Sequence, residues 1–128
     1  MKKFFYAIAA VVVAASLCSC NMEIKNPQTK NFVGTWDLAE ETITALDGST
    51  ITHSNTGEYV VITEDTFTTY NKSGRAVSDY DFKYENGTIF LDGVSYYKVL
   101  SISGKQMKLD QRAFLLLYSG RELTFNKR

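Results

Sequence analysis

The sequence contains few of the residue types that would indicate a particular chemistry. Its 128 residues contain two cysteines, one proline and one histidine. Fourteen acidic side chains balance fourteen basic ones, so the chain lacks the clustered positive charge expected of a nucleic-acid-binding protein. The scarcity of proline and the 13% content of aromatic residues exclude a disordered chain.

Long apolar runs are also missing, except near the N-terminus. Residues 4–15 form a continuous apolar segment behind the basic residues Lys2 and Lys3, which is the pattern of a secretion signal. This segment is too short for a permanent membrane-spanning helix, and no later run reaches the roughly 18 residues that one needs. We therefore predict a signal peptide over residues 1–19, followed by a mature chain of single-domain size.

The residues that follow this segment carry the most specific pattern of the chain. Leu17, Cys18, Ser19 and Cys20 resemble the lipobox of bacterial lipoproteins, with an aliphatic residue three positions before the modified cysteine and a small residue directly before it. The resemblance implies a diacylglyceryl thioether on Cys20 and an acylated amino group, with chains of the palmitate type. Two or more such chains anchor a protein stably in a membrane. The alternative is an ordinary signal cut nearby, with Cys20 left as a free thiol.

A polar segment containing the only proline separates Cys20 from the rest of the chain. We predict that residues 20–31 are the lipidated cysteine and a flexible tether. Asn21 occupies the position after Cys20, where the resemblance to lipoproteins implies delivery to the outer membrane rather than retention. Because no acidic cluster follows, a periplasm-facing position in the cell envelope is preferred over surface display.

From Phe32 onward the chain has the pattern of an all-β domain. Asp-Gly and Asn-Gly pairs mark tight turns, and the segments between them are rich in Thr, Val, Ile, Tyr and Phe. The predicted strands, some of them pairing as one bent strand, are 33–43, 49–54, 58–63, 66–71, 77–85, 88–91, 94–102, 106–110, 113–118 and 121–126. Short consecutive strands joined by tight turns indicate an antiparallel up-and-down meander. Closure into a barrel of about eight strands over residues 32–128 protects its edges, and a two-sheet sandwich is the alternative.

One short motif sharpens this prediction. Gly34 and Trp36, at the start of the first strand, resemble the Gly-x-Trp opening of lipocalins and the wider calycin group. The resemblance implies that Trp36 plugs one end of the barrel, that Gly34 allows neighbouring backbone to approach, and that Lys127 or Arg128 stacks over the Trp. Together with the lipobox, the layout is similar to small lipocalin-like lipoproteins of Gram-negative bacteria.

Aromatic side chains dominate the predicted barrel interior. The rings expected to point inward, and therefore to contact a ligand, are Trp36, Phe67, Tyr80, Phe82, Tyr84, Tyr97 and Phe125. An eight-stranded barrel is just wide enough to be filled by its own side chains or to hold one small ligand. Inward tyrosines favour a partly polar cavity, because buried hydroxyl groups need partners.

The sequence contains few residues that could act in catalysis or bind a metal ion. His53 is expected as an exposed imidazole on or beside a strand, and a single histidine without cysteines cannot build a typical zinc site. Asp79 and Asp81 share the face opposite Tyr80 and are expected to be solvated, as are Glu40 and Glu41. We therefore predict no enzyme, no metal and no cofactor.

Two functions remain open at this point. The first is a membrane-anchored lipocalin-like protein that binds a small apolar or amphipathic ligand inside the barrel. The second is an interaction or accessory module of an envelope complex, or an inhibitor, whose barrel is filled. The run Phe-Leu-Leu-Leu-Tyr at residues 114–118 motivates the second, because it places bulky apolar groups on both faces of a predicted strand.

Overall fold

A computed structural model describes residues 22–128. The predicted signal peptide and Cys20 lie outside the described residues. One short helix, α1 (Thr29–Phe32), precedes nine strands. The strands are β1 (Gly34–Ala45), β2 (Thr50–Ser54), β3 (Tyr59–Ile62), β4 (Thr66–Tyr70), β5 (Ala76–Glu85), β6 (Thr88–Leu91), β7 (Val94–Ile102), β8 (Gln106–Gln111) and β9 (Tyr118–Lys127).

The strands form an antiparallel meander that closes into a barrel. Each strand from β3 to β8 pairs with the next, and β9 returns to pair with β1 along most of its length. On the other edge of β1, β3 pairs with residues 34–37 and β2 pairs with residues 40–44, so β2 and β3 together fill one place in the barrel. The result is an eight-stranded, all-β barrel, as the turn spacing predicts.

The hydrophobic core lies inside the barrel, and we call the end that contains Trp36 and Phe32 the closed end. Fifteen buried apolar residues form one cluster, and Trp36, Phe32 and Phe67 are its largest fully buried members. Because the closed sheet and this whole cluster lie within residues 22–128, this segment contains a complete barrel with its own hydrophobic core.

The N-terminal segment contacts the barrel at two points. The backbone N–H of Ile24 donates to the carbonyl oxygen of Ile102 at 2.7 Å, and the Ile24 side chain packs against the core. Phe32 at the end of α1 is fully buried, with its ring centroid 4.5 Å from that of Tyr84. Two apolar side chains, Ile24 and Phe32, therefore contact the closed end on either side of residues 25–31, and the flexibility of the tether stays a prediction. No helix within residues 22–128 is long and apolar enough to cross a membrane.

The predicted strand at residues 113–118 is wrong. Residues 112–117 form the connection between β8 and β9, which we call the rim loop. Phe114 and Leu116 adopt φ angles of +57° and +54°, and this left-handed backbone cannot continue a strand. Their side chains are 68% and 87% exposed, so the apolar run lies at the open end of the barrel instead of in a sheet.

Candidate functional site

A cup of about 230 Å³ opens inside the barrel at the end opposite Trp36. Its floor is apolar and formed by the buried side chains of Leu38, Phe67, Leu91, Leu123 and Phe125. Its wall carries polar groups from Tyr80, Tyr96, Tyr97, Arg121, Thr69 and Ser78, with Glu58 at one side. The cup thus combines a dry floor with hydrogen-bonding groups nearer its mouth, which is the usual arrangement of a small-molecule site.

The predicted ring positions divide between the two ends of the barrel. Phe67, Tyr80, Tyr97 and Phe125 line the cup, whereas Trp36, Phe82 and Tyr84 belong to the packing near the closed end and do not line it. All of them are buried or half-buried, as inward positions require. The alternation of Tyr80, Phe82 and Tyr84 along β5 places all three on the inner face, and Asp79 and Asp81 lie exposed on the outer face as predicted.

Arg121 is the cation on the wall of the cup, and two polar side chains hold it in place. Its Nε–H donates to Glu41 Oε2 at 2.7 Å, and its Nη2 group donates to the same oxygen. Its Nη1 group donates to Gln111 Oε1 at 2.7 Å, and the Gln111 amide in turn donates to the carbonyl oxygen of Ala113. Because both ends of the guanidinium are bound, the plane of the fork is fixed in the wall.

The strand register explains why these charged groups point inward. Glu41 lies directly opposite Leu123, and Arg121 lies opposite Ile43, so each shares a face with its cross-strand partner. A β-bulge at Ala39 inserts one extra residue into β1, so the inner face passes from Leu38 to Glu41. The prediction that Glu41 is a solvated surface carboxylate is therefore wrong, because its side chain is only 12% exposed.

A second bulge brings two adjacent tyrosines to the cup. Ile89 pairs with Tyr97 and Phe90 pairs with Ser95, which leaves Tyr96 as the extra residue of β7. The rings of Tyr96 and Tyr97 lie 4.8 Å apart, and Tyr96 contacts Phe114 of the rim loop at 5.8 Å between ring centroids. Bulges redirect side chains in this way without ending the strand.

Burial controls the ionisation of these tyrosines. It raises the pKa of Tyr97 well above the ordinary value of a phenol, and the positive charge of Arg121 offsets only part of this effect. Burial also raises the pKa of Tyr96, followed by the influence of nearby Tyr80. Both hydroxyls are therefore neutral at physiological pH and can donate or accept a hydrogen bond.

His53 contacts Glu41 from outside the cup and extends the row of polar side chains formed by Gln111, Arg121 and Glu41. It lies on β2 directly opposite Glu41, its side chain is 53% exposed, and its Nδ1 atom is 3.3 Å from Glu41 Oε1. No third carboxylate or imidazole joins these two, and residues 22–128 contain no cluster of three His, Cys, Asp or Glu side chains suited to hold a metal ion.

The Gly-x-Trp motif lies at the closed end and takes no part in the cup. The Trp36 indole N–H donates to the carbonyl oxygen of Phe32 at 2.9 Å, and Lys127 Nζ lies 5.4 Å from the centre of the indole ring. A Cβ atom on Gly34 would lie 2.7 Å from Lys127 Cε, so the glycine makes room for this side chain and not for backbone. Arg128 instead stacks on Tyr59, with its guanidinium carbon 4.4 Å from the ring centre.

The sequence patterns missed Glu41, Gln111, Arg121 and Tyr96 as members of the site. The alternation of side chains along a strand predicts which of them point inward only where the pairing register is regular. The inward positions of Glu41 and Tyr96 each depend on a β-bulge. Gln111 and Arg121 continue the inward alternation of their own strands from Leu109 and Leu123. That continuation is the signal that would have found them.

Comparison with known proteins supports the fold. A solved structure with a similar fold, of an uncharacterized protein from Bacteroides eggerthii DSM 20697, matches 76% of this chain and 99% of its own, with a TM-score of 0.50 and 20% sequence identity. No protein-family model matches the chain, and no curated protein matches it. The closed eight-stranded antiparallel barrel fits a calycin-like fold.

Proposed function

We propose that this chain is a lipid-anchored envelope protein of the lipocalin-like type that binds a small amphipathic molecule in the cup. The observation that carries the proposal is the cup itself, in which an apolar floor lies below a wall of hydroxyl and guanidinium groups. Desolvation of the ligand's apolar part on the floor supplies affinity, and the polar wall fixes its orientation.

The position of the N-terminal segment indicates how an anchored chain would be oriented. Ile24 is bound at the closed end, and only three residues separate it in sequence from Cys20, the predicted lipidation site. An anchor at Cys20 would therefore hold the closed end toward the membrane. The cup would open on the opposite side, toward the aqueous compartment or a partner.

Native mass spectrometry of residues 22–128, purified gently from a bacterial periplasm, tests ligand binding. The proposal predicts a co-purifying small mass that is lost on denaturation, and displacement of an apolar fluorescent dye by the same compound. An apo mass together with no dye binding would mean that the barrel does not bind ligands, and would contradict the proposal.

Lipidation needs a separate test on the full-length chain. Metabolic labelling with a palmitate analogue is expected to label the wild-type protein and not the Cys20→Ser variant, which should lose its membrane association. The matched control is Cys18→Ser, which should keep both the label and the membrane fraction. Equal labelling of Cys20→Ser and wild type would contradict the anchor.

The rim loop supports a second candidate function, an interaction with an envelope protein. Phe114, Leu116 and Leu117 are 68%, 87% and 77% exposed, which is unusual for neighbouring large apolar side chains. A photo-crosslinking residue at position 116 in cells should give one specific adduct if this function holds. The same photo-crosslinking residue at exposed position 100, which lies on β7 and does not line the cup, is the control, and an identical adduct pattern at the two positions would contradict this second function.

A further inference from the structure

The size of the cup limits what it can hold. Binding sites for drug-sized ligands have volumes of about 300 to 1,000 Å³, and this cup of about 230 Å³ lies below that range. Phe67, Leu123 and Phe125 close its floor, so a long acyl chain cannot extend deeper into the barrel. The ligand of the proposed binding function is therefore a compact molecule with a short apolar body.

The hydrogen-bonding capacity of Arg121 indicates what the polar end of this molecule must offer. A guanidinium has five N–H donors, and three contacts engage them here, two with Glu41 and one with Gln111. One N–H on each terminal nitrogen is left over in a side chain that is 27% exposed and lines the cup. These donors are fixed in direction, so they suit an oxygen acceptor on the ligand.

The charges around the cup indicate that this acceptor is uncharged. Glu41 neutralises Arg121 through direct hydrogen bonds, and Glu58 adds a further carboxylate to the lining. His53 lies behind Glu41, more than half exposed to solvent. A ligand carboxylate would compete with Glu41 and approach Glu58, whereas a ligand ammonium would face the free N–H groups of Arg121.

We propose that the cup selects a small uncharged molecule with an apolar ring or short chain and a carbonyl-type oxygen, and that Arg121 donates to this oxygen. Tyr80, Tyr96 and Tyr97 line the same wall and complete the polar contact. This inference rests on the proposed binding function and adds the chemical class of the ligand and the residue that recognises it.

Three probes with one ring and different head groups test the proposal. Benzamide, benzoate and benzylammonium are titrated into residues 22–128 at neutral pH, and their dissociation constants are measured by NMR. The expected order places benzamide first, about tenfold tighter than benzoate, because the benzoate carboxylate would lie beside Glu41 and approach Glu58, and its repulsion by these carboxylates outweighs the gain at Arg121. Benzoate or benzylammonium binding as tightly as benzamide would overturn the uncharged class.

Arg121→Lys tests the recognising residue while keeping a positive charge beside Glu41. It should weaken benzamide binding about tenfold, because an ammonium cannot reproduce the planar fork. Arg112→Lys is the matched control, since Arg112 is exposed, pairs with Asp110 at 3.3 Å and does not line the cup. Equal benzamide affinity in Arg121→Lys and the control would overturn the role of Arg121.

Glu41→Gln provides a second test that does not remove the donor. It leaves the charge of Arg121 without its neutralising carboxylate, so benzoate binding should strengthen about tenfold relative to benzamide. An unchanged order would overturn the charge argument. Failure of all three probes in a protein that still binds the apolar dye would refute only the ligand class, whereas failure of dye and probes together would refute the proposed binding function.

Discussion

The two ends of this barrel belong to the same meander but differ in the side chains that occupy them. At the closed end, Trp36 and Phe32 are fully buried and the indole N–H is bound to a backbone carbonyl. At the open end, Arg121 and Glu41 face inward as a charged pair around a cup. We expect the dry packing at the closed end to contribute more to the stability of the fold than the polar groups at the open end.

The largest expected effect comes from the closed end. Trp36→Ala should lower the free energy of unfolding by about 3 to 5 kcal/mol, because it removes the largest buried side chain and leaves a cavity. Urea unfolding followed by circular dichroism measures the loss. Trp36→Phe, which keeps a ring but not the hydrogen bond to Phe32, should lose clearly less. A loss below about 1 kcal/mol for the alanine variant would contradict the contrast between the ends.

The charged pair of the open end should contribute less. Glu41→Gln replaces a carboxylate that accepts two hydrogen bonds from Arg121, and the expected loss is about 1 to 2 kcal/mol. The loss is below that of a fully buried pair because the Arg121 side chain is 27% exposed. His53→Gln, at the exposed end of the same row, is the control and should change stability by less than about 0.5 kcal/mol.

The stability contributed by Tyr97, which lines the cup, is expected to depend on pH. Burial raises the pKa of Tyr97 in the folded barrel, whereas the unfolded chain loses this proton near pH 10. The unfolded state therefore binds fewer protons above pH 10, so stability is full below that value and falls above it, by at most about 1.4 kcal/mol per pH unit. The difference in unfolding free energy between wild type and Tyr97→Phe, measured from pH 8 to 11, isolates this contribution. A difference that stays constant across that range would contradict it.

The smallest expected effect is at the Gly-x-Trp motif. Gly34→Ala should cost about 1 kcal/mol, because φ is +147° and the new Cβ atom would meet Lys127 Cε. Adding Lys127→Ala should recover the steric part and leave the backbone part, and a double-mutant cycle measures this coupling. Strict additivity of the two changes would show that the side chain of Lys127 does not press on Gly34.

The comparison also shows what sequence patterns predict well and where they stop. Turn dipeptides and alternation predicted the meander, the bounds of all nine strands within about three residues, and the inward rings of β5. They did not predict the inward turn of Glu41, because a bulge at Ala39 changes the alternation and depends on pairing with β9. They also assigned the rim loop to a strand, because β-propensity measures side-chain shape and not the left-handed backbone of Phe114.

An NMR titration of residues 22–128 with benzamide distinguishes binding in the cup from binding at the closed end, since amide resonances report on both ends of the barrel at once. We expect chemical-shift changes at the cup, at Tyr80, Tyr96 and Arg121, with the indole N–H of Trp36 unchanged. Changes centred on Trp36 and Lys127, or confined to the exposed rim loop, would contradict the assignment of stability to one end and binding to the other.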